Sequence, residues 1–158
     1  MEEISSGNRA ELEKKYRATA IIIVSQIILA VVLTILALLI APNSADSISQ
    51  QTLTTLWVAM IFIAIGAFVL RRMFFRWDRL NDIALLGGVL GVLRTLQINA
   101  IILGALAEAI AIVGFVITIL SGAKFETLRA AVVALIVFLI NFPRKSVWEK
   151  IVESLQKV

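Results

Sequence analysis

The apolar positions of this chain gather into long blocks, and the blocks set its architecture. Three of them, Ala18 to Ala41, Leu53 to Leu70 and Ile98 to Leu120, are almost free of charge. As helices they are long enough to cross a hydrocarbon core, which takes about 20 apolar residues. A fourth, Leu128 to Phe142, crosses if its helix begins near Phe125, Arg129 snorkels outward and Pro143 closes the end. The pattern predicts an all-α integral membrane four-helix bundle in a single transmembrane domain over 1–158, with spans at 18–41, 53–70, 98–120 and 125–142.

Shorter segments complete the plan. Ile83 to Leu93 carries no polar side chain, yet as a helix it would rise only about 16 Å and fall short of a span. It is expected as an interfacial helix over 80–95, in which Gly87, Gly88 and Gly91 would also permit the close backbone approach of a re-entrant or docking helix. Asn8 with Glu11 resembles a capping box that would start a helix running straight into the first span, and Ser146 with Glu149 makes a second. Beyond it Val147, Trp148, Ile151, Val152, Leu155 and Val158 share one helical face. The tail over 146–158 is therefore expected as an amphipathic helix lying on the inner leaflet, with docking to a soluble partner as the alternative.

Charge orients the bundle. Cytoplasmic loops of membrane proteins are enriched in Lys and Arg. With four spans and the N- and C-termini cytoplasmic, Arg9, Lys14, Lys15 and Arg17 fall inside, followed by Arg71, Arg72, Arg76, Arg79 and Arg94, and then by Arg144, Lys145, Lys150 and Lys157. Only Lys124 and Arg129 remain outside. Letting Ile83 to Leu93 span as well would send Arg94 and the basic tail outward, so the four-span arrangement is preferred. Tyr16, Trp77 and Trp148 then lie at the inner interface and Trp57 near the outer one, where amphipathic rings settle. The net charge of +4 thus serves orientation and contact with the lipid bilayer, and nucleic acid is not an expected partner.

Composition agrees. Hydrophobic residues make up 60% of the 158 positions, charged ones 16%, and the mean hydropathy is +0.97, which places the chain in lipid. The first apolar run is too long for a signal-peptide core, usually about 7 to 15 residues, and reads as a retained anchor. The expected location is the plasma (inner) membrane of a bacterium. Histidine and cysteine are absent, and no phosphate-binding loop is present. Asp46 and Glu126 are expected to be exposed at the outer side, so they complete no acid pair. No catalytic residue, metal ligand or cofactor site is implied, and an enzyme is not expected.

One residue stands apart. Glu108 lies near the centre of the third block, where a charged side chain is unfavourable by roughly 2.5 to 3.5 kcal/mol or more and usually has a function. No other ionisable residue lies as deep, and Arg94 on the same helix is about 21 Å away along the axis. Lipid without a compensating cation favours the neutral acid, which still needs a hydrogen-bond partner. Gln26, with Ser25, occupies a similar depth on the first span and is the natural one. Gly104, Ala107, Ala111 and Gly114 form a small-residue stripe on the same helix, with Thr118 continuing it, suited to close helix packing. Glu108 is thus a candidate for assembly, for binding a proton, or for pairing with a basic residue of another protein.

The segment Ala107-Glu108-Ala109-Ile110-Ala111-Ile112-Val113-Gly114-Phe115 resembles the carboxylate-bearing helix of the proteolipid c subunit of rotary ATP synthases. Arg94 and Gln97 precede it as an Arg and a Gln precede the carboxylate in that family. The resemblance implies Glu108 as the carrier of a transported proton, with Gln26 as a helper. It is confined to this helix: the glycine repeat of the family's first helix is missing, and Ala109 stands where sodium-binding members carry a hydroxyl. The whole chain looks more like small four-helix bacterial membrane proteins with an Ala-Glu-Ala-Ile-Ala motif in the third helix. The function expected first is non-enzymatic, with packing through the third helix as an oligomer or within a membrane complex. A proteolipid-like, proton-conducting or proton-sensing role for Glu108 is the alternative.

Overall fold

The computed structural model describes residues 6–41 and 48–155, and those residues are almost entirely helical. Five helices follow one another: α1 (Ser6–Ile40), α2 (Gln50–Phe74), α3 (Trp77–Ser121), α4 (Lys124–Asn141) and α5 (Lys145–Leu155). Four helical stretches are long and apolar enough to cross a membrane: α1, α2, α3 and the stretch that begins with α4. The chain is a multi-pass, all-α membrane bundle.

The helix ends follow local chemistry. Ser49 caps α2 by accepting the Thr52 N–H at 3.2 Å. Gly122, at φ 65°, takes the left-handed conformation that ends α3, and its N–H donates to the Thr118 carbonyl at 2.9 Å. Pro143 cannot donate a backbone hydrogen bond, so α4 ends before it and Phe142 is extended. Two expected caps differ. The first helix already begins at Ser6, placing Asn8 inside it, and α5 starts at Lys145, with the Arg144 carbonyl accepting from the N–H groups of Val147 and Trp148. Ser146 is therefore inside α5 and not at its cap.

The bundle runs up, down, up, down. Gly104 of α3 lies against Ile23 and Gln26 of α1, while Gly114 of α3 lies against Ala130 of α4. At one end Trp57 of α2 meets Glu126 of α4, and at the other Arg71 of α2 meets Asn141 of α4. The most buried helix is α3, whose residues Leu103, Ala107, Ile110, Ala111, Ile117 and Thr118 are all enclosed. The outer faces of α1 and α2 carry exposed Ile21, Ile28, Leu39, Phe62 and Phe68, as lipid-facing surfaces do.

Within α3 the backbone breaks at Gly88, with φ 59° and ψ −165°. That region of conformational space belongs to glycine alone. A Cβ built on Gly91 would lie 3.6 Å from both Cγ2 and the carbonyl oxygen of Ile83. Eight residues apart on a straight helix, these positions would be separated by about 12 Å, so the break folds 77–87 back on 89–121. The apolar segment expected as one interfacial helix over 80–95 is therefore two helical pieces meeting at Gly88.

Two cores result. The first lies inside the bundle and joins Ile23, Met60, Ala67, Ala107, Ile110, Ala130, Ala134 and Phe138. The second lies at the basic end and joins Leu12 of α1, Leu80, Val92, Leu93 and Leu96 of α3, and Trp148, Val152 and Leu155 of α5. Tyr16 meets the Trp148 ring edge-on, with centroids 5.9 Å apart. Trp148, Val152 and Leu155 of the tail's apolar face are thus covered by their own chain, while Val147 on the same helix stays exposed. Val158, Gln156 and Lys157 lie outside the described residues.

Candidate functional site at Glu108

The faces of α3 decide what Glu108 can reach. Ala100, Gly104, Ala107, Ala111, Gly114 and Thr118 are buried, whereas Ile98, Ala105, Ile112, Val116 and Leu120 are exposed. Glu108 falls in the half-buried row between them, with Ile101 and Phe115 a heptad away on either side. Its carboxyl therefore lies at a seam open towards lipid. Among the described residues no hydrogen bond and no ion pair involves it, the ion pairs of the bundle all lying elsewhere.

The small-residue stripe is occupied within the chain. A Cβ on Gly104 would collide with Gln26 Oε1 and lie 2.6 Å from Ile23 Cδ1. A Cβ on Gly114 would collide with the Ala130 methyl and lie 3.6 Å from its Cα. Ala107 and Ala111 join the inner core. The stripe thus holds α1 and α4 close to α3, and another helix approaching α3 must use a different face.

Gln26 and Ser25 part company. Ser25 is exposed and donates its hydroxyl to the Ile21 carbonyl of its own helix at 3.0 Å, so it is no partner for Glu108. Gln26 packs on Gly104, and its Oε1 is buried without a donor among the described residues. Glu108 lies one turn beyond Gly104 on the same helix, and among the described residues no hydrogen bond joins it to Gln26. Asn99 and Thr118 are buried as well, each with a polar atom lacking a partner among the described residues.

A second carboxylate escaped the reading of the sequence. Glu126, expected to be exposed, is only 9% accessible. It accepts the Trp57 indole N–H at 2.7 Å and the Arg129 guanidinium at 3.1 Å. The spacing of Glu126 and Arg129 by one helical turn was the available sign; the indole partner on α2 had none. Asp46 lies outside the described residues. No group of His, Cys, Asp and Glu able to hold a metal ion occurs among the described residues.

Compared with known proteins, the chain matches no family model, no curated protein and no solved structure.

Proposed function

We propose that this chain is a non-enzymatic membrane protein that associates with a second copy, or with another membrane protein, through the Glu108 edge of its third helix. The observation that carries this reading is a mid-span carboxyl, half-open to lipid, with no partner among the described residues. In hydrocarbon such a group is satisfied most economically by a polar group on an adjacent helix. Ala105 and Ile112 flank Glu108 on the open side and would line that contact. The Lys and Arg residues at the Arg71 and Arg144 end support a reading in which that end, with both ends of the chain, faces the cytoplasm and the bundle lies in a plasma membrane.

The chain has no cysteine, so single-cysteine cross-linking reads the contact cleanly. Ala105→Cys and Ile112→Cys are expected to give covalent adducts in native membranes, and Phe62→Cys on the open face of α2 is not. Adding Glu108→Ala to either reporter should abolish the adduct, while Glu108→Gln should keep it. Equal cross-linking at Phe62, or adducts insensitive to Glu108→Ala, would refute the reading.

A second reading, binding and release of a proton at Glu108, is favoured by its half-buried place on the third helix with no hydrogen-bond or ion-pair partner among the described residues. It predicts carbodiimide labelling of Glu108 in liposomes that fades as pH rises, and proton flux that Glu108→Gln stops. Flux that survives Glu108→Gln eliminates it.

A further inference from the structure

At the basic end a cavity of about 310 Å³ opens between the ends of α2 and α4 and the start of α5. Arg71, Asn141, Arg144 and Trp148 line it, with Ile140 and Val147 on its apolar side. Its charge is unbalanced. Lys145, next along the chain, lies beside Glu13 at 3.8 Å and Glu149 at 3.9 Å, but among the described residues neither Arg71 nor Arg144 has a carboxylate partner. Two guanidinium groups facing one partly enclosed space repel each other unless an anion lies between them.

The polar wall is prearranged. Asn141 is only 8% accessible, and its amide nitrogen donates to the Val137 carbonyl at 2.8 Å. Its Oδ1 is thereby turned towards Arg71, whose Nη1 donates to it at 3.4 Å. That long contact engages one of five guanidinium N–H groups and leaves the others available at the cavity that Arg71 lines. Planar guanidinium forks bind phosphate oxygens in pairs.

We propose that this cavity binds the phosphate of an anionic phospholipid headgroup, with Arg71 and Arg144 as its cationic ligands and Asn141 as the positioning residue for Arg71. The choice of lipid over free phosphate rests on the surroundings. The cavity lies where the apolar α4 ends, and exposed Ile140 and Val147 continue from it onto the lipid-facing surface, so a headgroup seated there leaves its acyl chains in hydrocarbon. The volume falls at the lower end of the range for ligand sites, about 300 to 1,000 Å³, and suits a headgroup rather than a whole lipid.

The test is native mass spectrometry of the delipidated full chain in detergent, titrated separately with phosphatidylglycerol, phosphatidylcholine and inorganic phosphate. Phosphatidylglycerol is expected to bind at one saturable site roughly tenfold more tightly than phosphatidylcholine. Arg144→Gln removes an exposed side chain and should leave the fold intact while weakening that site by about tenfold. Arg71→Lys, which keeps the charge and loses the fork, should fall between wild type and Arg144→Gln. Lys124→Gln removes the same charge at the opposite end and should change nothing. Equal binding of the two lipids, or loss with Lys124→Gln equal to that with Arg144→Gln, overturns the proposal. Displacement of phosphatidylglycerol by equimolar inorganic phosphate overturns the lipid assignment and makes this a soluble-phosphate site.

Discussion

Gly114→Ala tests the packing of the bundle at its least forgiving point. The added methyl would collide with the Ala130 methyl, behind which lie backbone atoms, Ala130 Cα at 3.6 Å and Thr127 Cα at 4.0 Å. An alanine side chain has no rotamer by which to yield. Carbon atoms need about 3.5 to 4.0 Å between them, so α3 and α4 must separate by on the order of 1 Å along their contact. Overpacking of this kind costs about 1 to 3 kcal/mol. Gly104→Ala is the internal comparison, because its new methyl meets only the ends of Gln26 and Ile23, which can turn. Moving such side chains off their rotamers costs about 0.5 to 1.5 kcal/mol. The order expected in SDS-titrated unfolding, followed by helicity in mixed micelles, is wild type, then Gly104→Ala, then Gly114→Ala. Ala130→Gly removes the opposing methyl, so in the double variant it should recover most of the loss, with a coupling of about 1 kcal/mol or more in the mutant cycle. A Gly114→Ala protein within about 0.5 kcal/mol of wild type, or a strictly additive double variant, refutes the reasoning.

Other variants examine the basic end. Trp148→Ala empties a site whose side chain is 1% accessible and should cost about 3 to 5 kcal/mol, most of it borne by the docking of α5. Trypsin in mild detergent should then cut rapidly at Lys145 and Lys150, and unchanged resistance would show that the tail is held by something else. Gly88→Ala meets no atom within 4 Å, so its whole effect is on the backbone. The positive φ predicts a loss of roughly 1 to 3 kcal/mol in the same SDS titration. Gly87→Ala, equally open but without a positive φ, should be neutral or slightly stabilising. Equal effects at the two glycines would deny the break its role.

The four membrane-length helices were legible because each is written in consecutive residues: some twenty apolar side chains in a row leave a chain in lipid few alternatives. The ends of the helices were harder to read. The lead-in to the first span was expected to be helical, but Arg71 to Phe74 lie beyond the apolar run Leu53 to Leu70 and still remain in α2, since once a helix is nucleated its next residue adds a hydrogen bond at little further cost. The glycines at 87, 88 and 91 were read as allowing close backbone approach, and nothing in their spacing told that the helix breaks at Gly88. The tail was recognised as amphipathic, but its apolar face fits a membrane surface and a protein groove equally well. Only the fold shows Leu12, Leu80 and Leu93 waiting for it. At Glu108 the depth could be read from the sequence, whereas the row it occupies depends on which faces of α3 the other helices cover. Glu126 was misjudged for a related reason: its indole partner lies on another helix, 69 positions away.

The basic-end core joins Leu12 on the first helix to Val152 and Leu155 on the last. During synthesis α1 and α3 are made well before α5 exists, so the side of Leu12, Leu80 and Leu93 that the tail covers stays open until α5 emerges. Contacts between such distant parts of a chain form late, after the local ones are complete. The bundle core can close as soon as α4 is made, but the end of the molecule closes only when α5 arrives. A nascent protein therefore passes through a stage in which its spans are in place and its apolar, basic end is open, and that is the stage at which chaperones and proteases of the membrane would encounter it.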